Sequence, residues 1–158
     1  CIEAMTRATS LPITIKHRLG IDDLDNDQFL INFVDSVASA GAQRFAVHAR
    51  KALLKGLNPK ENRNIPPLQY ERVINLKQSR PNLTIELNGG IETPDDCLKA
   101  LQFLDGAMVG RAAYKHPLRW KKIDQLIFNE HPTEIKASIV IKRIIPSVKF
   151  SLHPPNIF

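Results

Sequence analysis

The sequence predicts an α/β fold of parallel strands, on three observations. Short β-branched runs alternate with stretches of helical spacing four times over, at intervals of roughly thirty residues. Each β-like run ends in polar, basic or glycine residues, as strands do where they meet a helix through a short loop. A hydrophobic content of 43% over 158 residues, with 24% charged, is that of a soluble globular chain long enough to bury a core.

The elements follow in order. "CIEAMTRATS" has the pattern of an amphipathic helix with Ile2, Met5 and Thr9 on one face, stopped by Ser10-Leu11-Pro12. "ITIKHR" (13–18) is a strand running up to Gly20. "IDDLDND" is a loop in which Asp25 or Asn26 caps the next helix. Leu30, Phe33, Val34 and Val37 recur at helical spacing from Asp27 to Ala40, and Gly41 closes that helix. "RFAVHAR" (44–50) is the second strand, followed by the basic loop "KALLKGLNPKENRNIPP" and a helix from about Leu68 to Arg80. "LTIEL" (83–87) is the third strand. A helix over Pro94 to Leu104 turns Cys97, Leu101 and Leu104 inward, and "GAMVG" (106–110) is the fourth strand. After Pro117 the pattern is helical only, over 117–129 and 133 to about 143, joined at "NEHPT".

Parallel strands with helical crossovers leave two architectures open: a doubly wound sheet, or part of a (β/α)8 TIM barrel, whose complete form takes about 250 residues. The chain opens on Cys1 in mid-helix pattern and closes on "SVKFSLHPPNIF" with no stop signal, as expected of a piece of a longer protein. Cys1 and Cys97 do not make a disulfide framework, and no Cys/His cluster has zinc spacing. No apolar run approaches the roughly 18–20 residues of a membrane span, and a reducing cytoplasm is the expected setting. A net charge of +6 and a pI near 9.5 suit a polyanionic partner, RNA or DNA included.

Ligands of parallel α/β folds sit beyond the C-terminal ends of the strands. The first end here delivers Lys16, His17 and Arg18, the second His48 and Arg50, the third Asn88-Gly89-Gly90, the fourth Gly110-Arg111. Gly89 and Gly90 remove side chains, so that amide N–H groups can approach an anion, and Thr93-Pro94 begins a helix whose positive end faces the same loop. Gly110-Arg111 adds a second open approach with a guanidinium suited to phosphate. Two successive ends of this kind favour a phosphate site, against a plain tight turn for Gly-Gly alone. Lys16 shares a strand face with Thr14 and Arg18, where it stabilises charge on an electron-rich ring or pairs with a carboxylate such as Glu86. His48 is a ligand contact or an interior histidine. The loop carrying Arg50, Lys51, Lys55, Lys60 and Arg63 is either solvated or laid on a polyanion.

"ITIKHRLGIDD", "FAVHARKALLKGLNPKENRNIPPLQY", "TIELNGGI" and "DGAMVGRAAYKHP" together resemble the successive signatures of the flavin-dependent tRNA-dihydrouridine synthases, most closely their A-type branch. The resemblance covers residues 1 to about 118 and is expected to fade beyond Trp120. It implies a (β/α)8 barrel of which the chain holds the last four βα units (1–116), then a truncated helical tRNA-binding domain (117–158). It implies that Lys16 and His48 contact the FMN ring, while Asn88, Gly89, Gly90, Gly110 and Arg111 line its phosphate. Lys60 and Arg63 would contact tRNA, and Arg18 and Arg50 would line the uridine pocket. The implied chemistry is NADPH reduction of FMN, then hydride transfer to C6 of a D-loop uridine and protonation at C5 by a cysteine. That cysteine belongs to an Asn-Pro-Gly-Cys-Pro-like motif that this chain does not contain. Neither Cys1 nor Cys97 falls at a strand end, so the piece alone is expected not to complete the reaction. No obligate protein partner is implied, although unpaired edge strands should make an isolated half-barrel associate. The rival readings are a phosphate-binding barrel enzyme without flavin and a non-catalytic RNA-binding module.

Overall fold

The computed structural model describes residues 1–131 and 136–152, the side chains of 144 and 146–152 excepted. The chain divides into two compact units, Cys1–Lys115 and His116–Phe158.

The first unit begins with helix α1 (Ile2–Ala8), which buries none of its residues. Four parallel strands follow, β1 (Thr14–Arg18), β2 (Arg44–His48), β3 (Thr84–Asn88) and β4 (Gly106–Met108). They lie side by side in sequence order, β1-β2-β3-β4. Helices α2 (Asp27–Ser39), α3 (Tyr70–Ser79) and α4 (Pro94–Leu101) connect them, and α5 (Arg111–Lys115) follows β4. The chain therefore forms a parallel α/β sheet, as its alternating periodicity predicts.

The register assigns side chains to faces, because residues in one row of a parallel sheet point the same way. One row runs Ile15, Phe45, Ile85 and the next-but-one His17, Val47, Leu87, Ala107. This is the helix side: Phe45, Val47 and Ile85 are fully buried, as are Val34 of α2 and Val73 of α3. Each such side chain contributes about 1.5–3 kcal/mol of burial. His17 lies on this side too, its ring 5.0 Å from that of Phe33 on α2 and 6.0 Å from Phe45. It is half-buried there, and burial is the main cause that lowers its pKa. The opposite face carries Lys16, Ala46, Glu86 and Gly106 in one row and Arg18, His48, Asn88 and Met108 in the next. Lys16, Glu86, Arg18, His48 and Asn88 make this the more polar of the two faces.

Local chemistry fixes each helix start. The Asn26 side chain, rather than Asp25, caps α2 by accepting from the Phe29 amide at 2.8 Å. Thr93 and Asp96 form a reciprocal capping box on α4, with Pro94 in its first turn. The α4 helix ends at Leu101, three residues short of the expected Leu104, which is nonetheless buried. The fourth strand is shorter than "GAMVG" suggests because only Gly106 to Met108 find partners on β3.

In the second unit, a 3₁₀ turn (Pro117–Trp120) and α6 (Ile123–Phe128) replace the single helix expected over 117–129. Asn129, in left-handed conformation, caps α6. Part of the junction expected at "NEHPT" and the start of the next helix, 132–135, lie outside the described residues. The following helix, α7, is Ala137–Leu152 and runs past the expected end near 143.

Candidate functional site

Every cationic strand end converges on the C-terminal edge of this one sheet, because parallel strands in register finish together. Arg18, His48, Asn88 and Met108 are direct neighbours in a single row. Lys16 lies one row below Arg18 on the same face, so that Arg18, Lys16, Arg50 and Arg111 all press on His48 electrostatically. Burial first and these cations second lower the His48 pKa to about 4. The imidazole is therefore neutral at pH 7, able to donate from one nitrogen and accept at the other. Partial burial, then Arg18, also lowers the pKa of Lys16. Among the described residues neither the His48 ring nor the Lys16 ammonium has a hydrogen-bond or ion-pair partner. The carboxylate weighed for Lys16 is engaged elsewhere: Glu86 takes the Arg44 Nε at 2.6 Å.

At the third strand end Gly89 and Gly90 both have positive φ, +102° and +72°. A Cβ on Gly89 would stand 2.6 Å from His48 Cδ2, and one on Gly90 would stand 2.5 Å from Tyr70 Oη and 2.6 Å from Leu68 Cδ1. Glycine is required on both counts, conformation and space. Tyr70 Oη donates to the Gly89 carbonyl at 2.9 Å, and Asn88 Nδ2 donates to the Met108 carbonyl at 2.8 Å, tying the third end to the fourth. No turn or cap hydrogen bond among the described residues uses the backbone N–H of Gly89, Gly90 or Gly110. A Cβ on Gly110 would meet nothing within 4 Å, so that approach is open. Arg111 is exposed and reaches Asn64 Oδ1 at 3.1 Å.

The long basic loop is ordered by hydrogen bonds rather than loosely solvated. Asn62 clamps it from within, accepting from the Leu53 amide at 2.7 Å and donating to the Leu53 carbonyl at 2.6 Å. Asn58 steadies the approach to the short 3₁₀ turn Glu61–Arg63, its Oδ1 accepting from the Lys60 and Glu61 amides. Arg18 faces this loop, its Nη1 donating to the carbonyls of Lys51 and Asn62, each at 2.8 Å. Arg50 donates to the Pro66 carbonyl, and its buried Nε has no partner among the described residues. Lys60 and Arg63 stay exposed on the loop's outer surface. Beneath, Asp25 joins Lys51 (3.4 Å) to Arg72 (2.7 Å), pinning the loop's first residue to α3.

Sequence reading did not single out Tyr70, Asn62 or Asn64. Nothing local distinguishes Tyr70 from an ordinary helix-start residue, since its partner lies 19 positions on.

The edge thus brings together clustered cations, an imidazole and a side-chain-free turn at the strand ends of a parallel α/β protein. The family model for dihydrouridine synthase matches residues 1–155, and the chain belongs to that family. Three similar proteins bear the name tRNA-dihydrouridine(20/20a) synthase. The one from Synechocystis sp. is 47% identical over 97% of this chain and 46% of its own length. Those of Pasteurella multocida and Haemophilus ducreyi are 46% and 48% identical, each over 96% of this chain and 46% and 47% of their own. The chain spans about half the length of these relatives. The match does not fade at Trp120, as expected from the motifs, but runs on through the helical unit. That unit has no glycine-bearing strand ends, the features on which the sequence reading relied.

Proposed function

We propose that the chain is the cofactor-binding and RNA-facing portion of a cytoplasmic tRNA-dihydrouridine(20/20a) synthase, an FMN-dependent reductase of a D-loop uridine in tRNA. One observation carries the reading: a neutral His48, with the Lys16 charge near it, stands against a Gly89-Gly90 turn that admits no side chain. The group this fits is flat and polar at one end and anionic at the other. Lys16 and His48 would donate to the flavin ring, while Asn88, Gly89, Gly90, Gly110 and Arg111 would hold the phosphate. Bound FMN supplies the hydride chemistry, with NADPH as reductant and uridine C6 as acceptor. Arg18 and Arg50, anchored on loop carbonyls, would border the uridine, and Lys60 and Arg63 would meet the RNA backbone. Neither cysteine of the chain suits the C5 proton donor: Cys1 is exposed at the start of α1, and Cys97 is buried within α4, where burial raises its thiol pKa.

The strand order supports a barrel over a doubly wound sheet. Right-handed crossovers between strands added in one direction bring their helices to one face, whereas a doubly wound sheet reverses direction. The polar opposite face would then be the inner wall of a (β/α)8 barrel, with the helical unit from His116 onward as an RNA-binding domain.

The reading predicts that the chain, joined to the N-terminal portion of the Synechocystis relative, purifies yellow with FMN. Arg111→Ala in that protein should weaken FMN by about tenfold, the low end for loss of one charge-assisted contact. Flavin fluorescence titration measures this, and unchanged affinity would remove Arg111 from the phosphate site.

A further inference from the structure

We propose that Tyr70 is a positioning residue for the Gly89-Gly90 turn, its hydroxyl holding the turn in the orientation that presents amide hydrogens to a phosphate. The inference rests on reading that turn as a phosphate site.

Tyr70 opens α3, and its Oη donates to the Gly89 carbonyl at 2.9 Å. The same oxygen would stand 2.5 Å from a Cβ on Gly90, so it lies against both residues of the turn. In a planar trans peptide the C=O and the following N–H point in opposite directions. Holding the Gly89 carbonyl toward Tyr70 therefore aims the Gly90 N–H away from α3. The two glycines, at φ +102° and +72°, have no side chain to resist a flip of the peptide between them. Such a flip would point a carbonyl oxygen where an amide hydrogen had been and repel an anion. The hydroxyl is the restraint, and burial keeps it protonated by raising its pKa.

The test is Tyr70→Phe in the chain joined to the N-terminal portion of the Synechocystis relative, with FMN and riboflavin as paired probes. The phenyl ring still fills the space beside Leu68, so a loss of general packing would affect both probes alike. The proposal expects FMN affinity to fall about tenfold and riboflavin affinity to stay within twofold. Equal loss of both, or loss of neither, overturns it. Failure of the underlying reading looks different: the unsubstituted chain would then bind FMN no better than riboflavin. In that event the amide resonance and ¹⁵N heteronuclear NOE of Gly90 still decide the turn's restraint, because they need no ligand. They should change in Tyr70→Phe, and an unchanged Gly90 would overturn the proposal.

Discussion

His48 shows how one residue's chemistry follows from its neighbours. Four cations and burial hold its pKa at about 4, against 6.5 for an exposed imidazole. The unfolded chain therefore takes up a proton at higher pH than the folded one, and this residue's contribution to stability falls as pH drops from 6.5 toward 4. His17, lowered mainly by burial, adds to the same slope. Replacing His48 with Gln should flatten the pH dependence of urea unfolding across that window by up to one bound proton, with His17 and, toward pH 4, Asp35, Asp96 and Asp105 contributing to what remains. A slope identical to that of the unsubstituted chain would mean that His48 is already charged in the folded state. The convergence that depresses the pKa was legible in part: Lys16, Arg18, Arg50 and Arg111 each stand at a strand end in the sequence. The hydrogen bonds that direct Arg18 and Arg50 at loop carbonyls were not legible, because their partners lie 16 to 44 positions away.

Among the elements, α4 follows the glycine turn, and its start is encoded locally. Thr93 accepts from the Asp96 amide at 3.2 Å, and Asp96 accepts from the Thr93 amide at 2.9 Å. Thr93→Ala should cost about 1 kcal/mol, read from thermal or denaturant unfolding. A loss well below that would show the capping box to be redundant with Pro94. Signals within four residues of each other, such as caps and the apolar stripes of α2 and α4, made the helices readable in the sequence. Some element ends were misjudged. The strand "GAMVG" is cut to three residues by β3, and the helix expected over 117–129 breaks after Trp120. The sheet order was open in the sequence too, since a doubly wound sheet and a barrel share the same alternation of elements and differ only in how the strands are laid side by side.

For the whole molecule, a net charge of +6 and an ordered loop bearing Lys60 and Arg63 predict salt-sensitive tRNA binding. Alanine at both positions should lower the slope of log affinity against log salt by about 1.5. An unchanged slope would place the RNA elsewhere. Among the described residues no helix is long and apolar enough to cross a membrane. Family membership, the strand-end cations and the side-chain-free turn all bear on one claim: that this portion binds a flavin and presents it to tRNA. The most direct test joins the chain to the N-terminal portion of the Synechocystis relative and supplies NADPH and unmodified tRNA. The account predicts a yellow protein that forms dihydrouridine in the D-loop, detected by mass spectrometry of the digested RNA. A colourless protein that leaves every uridine unreduced would contradict it.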